Sequence, residues 1–234
     1  MDFPFMVQTL PRLVAPLGLT IGVSLVSLLL ATILGVVLGL LRVICPVNNP
    51  LGWLIDGYVE LVRGTPIIIQ IYAVHFLLPP LLGSKLPLFW EGVCALTLNS
   101  VGYQIEIVRA AVQSIPQGQW EAARSIGMTN RIILCRILLP QAARQMIPPL
   151  TNELSNLVKA SSVLSVVALF ELHKAGSSIA SSSFKFVEML ALQAILYFAL
   201  IQTLSWGTGY LEHHVFRYGR KPSSFGTEAW GIRA

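Results

Sequence analysis

Long apolar runs alternate with short polar connections through most of the 234-residue chain. A helix that crosses a bilayer needs about 20 predominantly apolar residues. Five runs reach roughly that length, at about 17–41, 54–78, 93–111, 150–170 and 189–211. The pattern predicts an all-α, polytopic membrane protein with about five transmembrane helices. Residues 1–16 then form an N-terminal extracytoplasmic segment, 17–216 the transmembrane domain, and 217–234 a polar tail rich in Gly and Ser, loosely ordered in the cytoplasm.

Five spans put the termini on opposite sides, and the basic residues choose between the two orientations. With the N terminus outside, the inner connections and tail hold Arg42, Arg63, Arg109, Arg124, Arg131, Arg136, Arg144, Arg217, Arg220, Lys221 and Arg233. The outer connections hold only Arg12, Lys85, Lys174 and Lys185. The positive-inside rule therefore places the N terminus outside and the polar stretch 115–141 inside. The start of the chain does not read as a secretory signal: it has no basic n-region, Asp2 is acidic, and the apolar run exceeds the roughly 7–15 residues of an h-region.

Composition strengthens this picture. Hydrophobic residues make up 54% and charged residues 12%, against about a quarter charged in soluble domains, and mean hydropathy is +0.69. The net charge of +5 sits between apolar spans, as the positive-inside rule requires, and not on a phosphate-binding face, so nucleic acid is not an expected partner. Cys45, Cys94 and Cys135 are widely spaced, and His75, His173, His213 and His214 have no zinc spacing, so neither a disulfide framework nor a metal site is indicated. There is no phosphate-cradling GxxxxGK[ST] and no nucleophile with a matching base, so no catalytic residue or cofactor is assigned to this chain. Trp53 and Trp90 fall near span ends as interfacial anchors. In the first span, Gly18 with Gly22 and Gly35 with Gly39 make two small-xxx-small pairs for close helix packing.

Charged groups inside apolar spans cost roughly 2.5–3.5 kcal/mol each on insertion scales, so they mark candidate function. The fourth span opens with Asn152, Glu153, Asn156, Lys159 and Ser161. At 100° per residue Asn152, Asn156 and Lys159 lie within about 60° of one another, with Glu153 at the edge of that face. Lipid cannot satisfy such a stripe. Either it lines a path for a solute carrying an ammonium and a carboxylate, one each for Glu153 and Lys159, or these two pair with other helices or snorkel. Glu106 and Arg109 are spaced for a local ion pair. Arg63, Gly64, Thr65 and Pro66 form a helix break that serves as a hinge or gate, or simply as a helix start.

The polar insert reads Glu121-Ala122-Ala123-Arg124-Ser125-Ile126-Gly127, with Leu139-Pro140 beyond it. It resembles the cytoplasmic EAA loop of ABC importer permeases. The likeness extends from about residue 20 to 213 through Val62-Arg63-Gly64-Thr65-Pro66 with Gln70, Leu98-Asn99-Ser100 with Tyr103, Glu106 and Arg109, Ile115-Pro116-Gln117-Gly118, Pro148-Pro149, Asn152-Glu153 and Leu157-Val158-Lys159. These motifs are similar to the polar amino-acid branch, which includes histidine, glutamine, arginine and cystine permeases.

The resemblance implies a type I importer fold in the bacterial cytoplasmic membrane and two facing permease subunits, identical or homologous. It also implies two ABC ATPase subunits that bind ATP and Mg, and an extracytoplasmic amino-acid-binding protein. Glu121, Ala122, Ala123, Ser125 and Gly127 would form the coupling contact, with Gly127 leaving the backbone open to the ATPase. Many members of the branch carry Asp after the lysine of the fourth span; this chain has Ala160, which disfavours a cationic solute. The alternative classes are a passive channel and a structural membrane subunit that recruits a cytoplasmic partner.

Overall fold

The computed structural model describes residues 1–45 and 49–215; the expected tail and its basic residues lie outside them. Among the described residues nine α-helices follow one another: α1 Phe3–Ile44, α2 Pro50–Gly64, α3 Ile67–Leu82, α4 Leu88–Gln113, α5 Gln117–Ser125, α6 Asn130–Ile133, α7 Leu139–Ser161, α8 Leu172–Ser183 and α9 Phe186–Val215. A π turn, Leu134–Leu138, precedes α7, and a 3-10 segment, Ser162–Val167, follows it.

Helix α1 departs from the expected first span. It is one 42-residue helix in place of a separate segment 1–16 and a span at 17–41. Gln8, Pro11 and Arg12 depress the hydropathy of its first turns, yet Asp2 caps it by accepting from Phe5 N at 3.1 Å. Met6 and Leu13 are buried against Leu172 and Met189.

The expected second span is broken. Helices α2 and α3 meet at 112°, with Thr65 and Pro66 both extended. Proline supplies no N–H and disfavours helix in the residue before it, which accounts for the break.

Helix α4 forms the centre. Its packed neighbours run at definite senses: Gly35 and Gly39 of α1 lie against Gln104 and Val108, so α1 and α4 are parallel, whereas Gln70 and His75 of α3 meet Asn99 and Glu91, so α3 is antiparallel. A Cβ on Gly35 would come within 2.6 Å of Gln104 Cβ, and one on Gly39 within 2.7 Å of Val108 Cβ. That pair is a packing face. Gly18 has nothing within 4 Å and Gly22 meets Phe89 only at an ordinary 3.6 Å, so the first pair is not.

By length and apolarity alone, α1 and residues 186–208 of α9 suffice to cross a bilayer, and two bent pairs do so when taken together. Helix α4 falls short because Glu91, Thr97, Ser100 and Gln104 are polar, but they are buried against protein and not lipid. The fourth span also differs from expectation. Helix α7 starts at Leu139, where Gln141, Arg144 and Gln145 hid it, and its regular part ends at Ser161 before residue 170. Pro140 cannot donate to Arg136, and the π turn lies at that gap.

Helix α8 was not expected. Glu171, fully buried, caps it by accepting from His173 N and Lys174 N, both at 2.7 Å, and from Tyr197 Oη at 2.9 Å. These bonds join α8 to α9.

Candidate functional site

Helices α2, α4 and α7 line an open cavity of about 490 Å³. Arg63, from the last turn of α2, projects over Tyr103 with its guanidinium carbon 5.9 Å from the ring centroid. It also lies 3.6 Å from Glu106. The pair expected within α4 is present: Arg109 Nε and Nη2 donate to the two oxygens of Glu106 at 2.9 and 2.6 Å. Glu106 is thus shared by two arginines at the cavity wall, a larger role than the local pair expected.

Glu153 enters the same cavity from α7. It is 6% exposed, and Ser100 Oγ donates to Glu153 Oε1 at 2.6 Å. Gln104 Nε2 donates in turn to Ser100 Oγ at 3.2 Å. No lysine or arginine among the described residues forms an ion pair with Glu153. The cavity therefore offers a guanidinium on one side and a carboxylate without a cation on the other. A dipolar solute matches both, since a buried charge needs a partner of opposite sign.

The stripe read from sequence divides in the structure. Glu153 turns inward beside Ser100, while Asn152, Asn156 and Lys159 are exposed, with the Asn156 side chain still within hydrogen-bonding reach of Glu153. Lys159 forms no ion pair among the described residues. Ser161 is buried and donates to Val158 O at 2.8 Å, so it faces neither the stripe nor the cavity. Arg63 and Glu153 line the cavity and Lys159 does not, since six residues at 100° set positions 153 and 159 about 120° apart around α7. Ser100 and Gln104 were not singled out as an inward polar pair; their spacing of four along α4 was the available signal.

Helix α5 presents Glu121, Ala122, Arg124 and Ser125 outward. Ala123 is an exception. It is 4% exposed and packs with Ile133, Leu134 and Leu138 in this chain's own core, so it anchors the helix instead of touching a partner. Gly127 sits at φ +80°, with its N–H donating to Arg124 O at 2.9 Å and Met128 N–H to Ala123 O at 3.1 Å. This is a Schellman cap, which places glycine in the left-handed region. Ile126, 76% exposed beside these polar residues, was missed as a contact candidate. Arg124 stacks over Trp120 at 5.6 Å.

A second cavity, about 580 Å³ between α1, α3 and α4, is lined by leucines, Ile33, Val74 and Cys94 and has no charged group to engage a polar solute.

The sequence pattern of the family described as "Binding-protein-dependent transport system inner membrane component" matches residues 31–217. The arginine transport system permease protein ArtQ of Bacillus subtilis (strain 168) is 33% identical over 206 residues, covering 88% of this chain and 93% of that protein. The probable glutamine ABC transporter permease protein GlnM of the same strain is 38% identical over 193 residues, covering 82% and 88%. Among solved structures, that of an amino acid ABC transporter with histidines superposes with a TM-score of 0.82 at 30% identity, covering 91% of this chain and 98% of that one. The inward-facing MetNI methionine ABC transporter gives 0.75 at 22% identity, covering 92% and 99%, a likeness of fold.

Proposed function

The chain belongs to the binding-protein-dependent transport system inner membrane component family, and we propose that, as the permease subunit of a bacterial ABC amino-acid importer, it passes its solute through the cavity between Arg63 and Glu153. The observation that carries this reading is the presence of both charge signs on one cavity. An amino acid presents its carboxylate to Arg63 and its ammonium to Glu153. Glu106 tempers Arg63 so that the carboxylate is not held irreversibly.

The distribution of basic residues orients the N terminus outward and α5 inward. There α5 meets an ATPase subunit, which binds ATP and Mg, while an extracytoplasmic binding protein delivers the amino acid and a second permease completes the path. Glu121, Ala122, Ser125 and Ile126 make the contact, and the α2–α3 break at Gly64, Thr65 and Pro66 acts as the gate. Closure of the ATPases moves α5 and switches the side to which the cavity opens. The exposed Lys159 meets the solute where the second permease completes the path, and Ala160 adds no carboxylate beside it, which favours a neutral or acidic side chain on the solute.

ATP-dependent uptake of a labelled amino-acid panel into liposomes holding the complete importer tests the reading. Glu153→Gln and Arg63→Gln each lose uptake while the complex still hydrolyses ATP, and removal of the ATPase abolishes transport. Arginine as the best competitor would overturn the preference for neutral or acidic solutes, and full uptake by both variants would overturn the cavity assignment.

A further inference from the structure

Pro66 leaves a gap that a distant side chain fills. In a continuous helix Val62 O would accept from the N–H four residues on, but residue 66 is proline and has none. Gln70, one turn into α3, reaches back across the break. Its Nε2 donates to Val62 O at 2.8 Å and lies 3.1 Å from Thr65 O and 2.9 Å from Thr65 Oγ1. Thr65 Oγ1 donates to Leu61 O at 2.8 Å.

The orientation of this amide is dictated by its surroundings. Val62 O and Thr65 O are carbonyl acceptors, so they must face the Gln70 nitrogen. The oxygen then points to α4, where Asn99 Nδ2 donates to Gln70 Oε1 at 2.9 Å. Asn99 thus adds a third restraint on the amide and ties it to α4, so that without this donor Gln70 is held only by the carbonyls of the break itself. Gly64 itself has open space around it, since a Cβ there would meet nothing within 4 Å, while Val62 before the break and Ile71 after it are buried.

Helix α4 also grips the other flank. Asn99 holds Gln70 after the break, while Tyr103 and Glu106, four and seven residues further along the same helix, hold Arg63 before it.

We propose that Gln70 is a positioning residue, locked by Asn99, that replaces the N–H missing at Pro66, fixes the α2–α3 bend and so sets Arg63 at the cavity wall. Movement of α4 past α3 parts Asn99 from Gln70, releases the bend and withdraws Arg63. The inference rests on the reading of the cavity as the solute's path, and adds the device that controls it.

The test uses the complete importer in lipid nanodiscs. Spin labels are placed at Leu54→Cys on α2 and Leu81→Cys on α3, both strongly exposed, with Cys45, Cys94 and Cys135 replaced by serine. Electron-spin distance measurements then read the bend directly. Asn99→Asp, which removes the donor at constant size, and Gln70→Glu, which sets an oxygen against Val62 O, each raise the population of a second distance about tenfold, equivalent to about 1.4 kcal/mol. Both raise the KM for uptake more than they lower the maximal rate, because Arg63 is displaced while α5 is untouched.

If a charged variant does not assemble, Asn99→Ser shortens the reach without adding charge and carries the same expectation. An unchanged distance distribution in the assembled variants overturns the latch. An altered distribution with uptake kinetics unchanged leaves the latch standing and overturns the cavity reading alone.

Discussion

Gln119 of α5 and Gln141 of α7 exchange two amide hydrogen bonds, Gln119 Nε2 donating to Gln141 Oε1 at 3.1 Å and Gln141 Nε2 to Gln119 Oε1 at 2.7 Å. Gln141 Nε2 also donates to Ile137 O at 2.8 Å, in the π turn. A displacement of α5 therefore reaches the helix that carries Glu153 through a direct polar link as well as through apolar packing. Replacing Gln141 by leucine removes both bonds to the half-buried Gln119 amide, at a cost of about 0.5–1.5 kcal/mol for each. Uptake per ATP hydrolysed, measured in the reconstituted importer, is expected to fall several-fold while ATPase binding persists.

The Gly127 cap changes how a substitution there is read. Gly127→Ala forces a side chain into the left-handed region and costs about 1–2 kcal/mol, although its Cβ would touch nothing. The loss is expected as a lower melting temperature of the isolated permease. Ile126→Ser, by contrast, leaves that temperature unchanged and weakens ATPase association, measurable by co-purification.

Gly35→Ala crowds Gln104 across the α1–α4 seam and is expected to destabilise by about 1–3 kcal/mol. Gly18→Ala, with open space around it, gains about 0.5–1 kcal/mol from helix propensity. Thermal unfolding in detergent distinguishes the two.

Asp2 pairs with Lys185, between α8 and α9, and its backbone N–H donates to Glu188 Oε1 at 3.2 Å. The Lys185 hydrogen bond, helped by the Phe5 N–H, holds the Asp2 carboxyl below its usual range. A depressed carboxyl stabilises the fold above its unfolded value, about 3.9, and loses that contribution as pH falls through the lower folded value. The stability difference between wild type and Asp2→Asn, which keeps a capping oxygen, is therefore constant from pH 5 to 8 and shrinks below about pH 4.

The sequence made the helical membrane character and the polar insert that forms α5 legible because both are written locally, in long apolar runs and in a contiguous polar motif. It misplaced the ends of α1 and α7, where polar residues belong to helices packed on protein. The stripe on α7 was visible as periodicity, but which neighbour each residue faces was not. Glu153 meets Ser100, 53 positions away, and Arg63 meets Glu106 only because of a bend whose angle no local pattern specifies. Gly127 was singled out for its missing side chain; in the structure its backbone conformation, set by the Schellman bonds, requires glycine.

The π turn at Leu134–Leu138 is a point of slack at the start of α7. A π turn accommodates one residue more than an α turn, whereas each residue of a regular helix turns it by about 100°. Deleting a single residue in the π turn would restore ordinary winding and leave Glu153 beside Ser100, but the same deletion between Leu139 and Glu153 would swing the carboxylate about 100° away from it. Changes of length are thus absorbed in this short stretch and are constrained by angle in the helix beyond it.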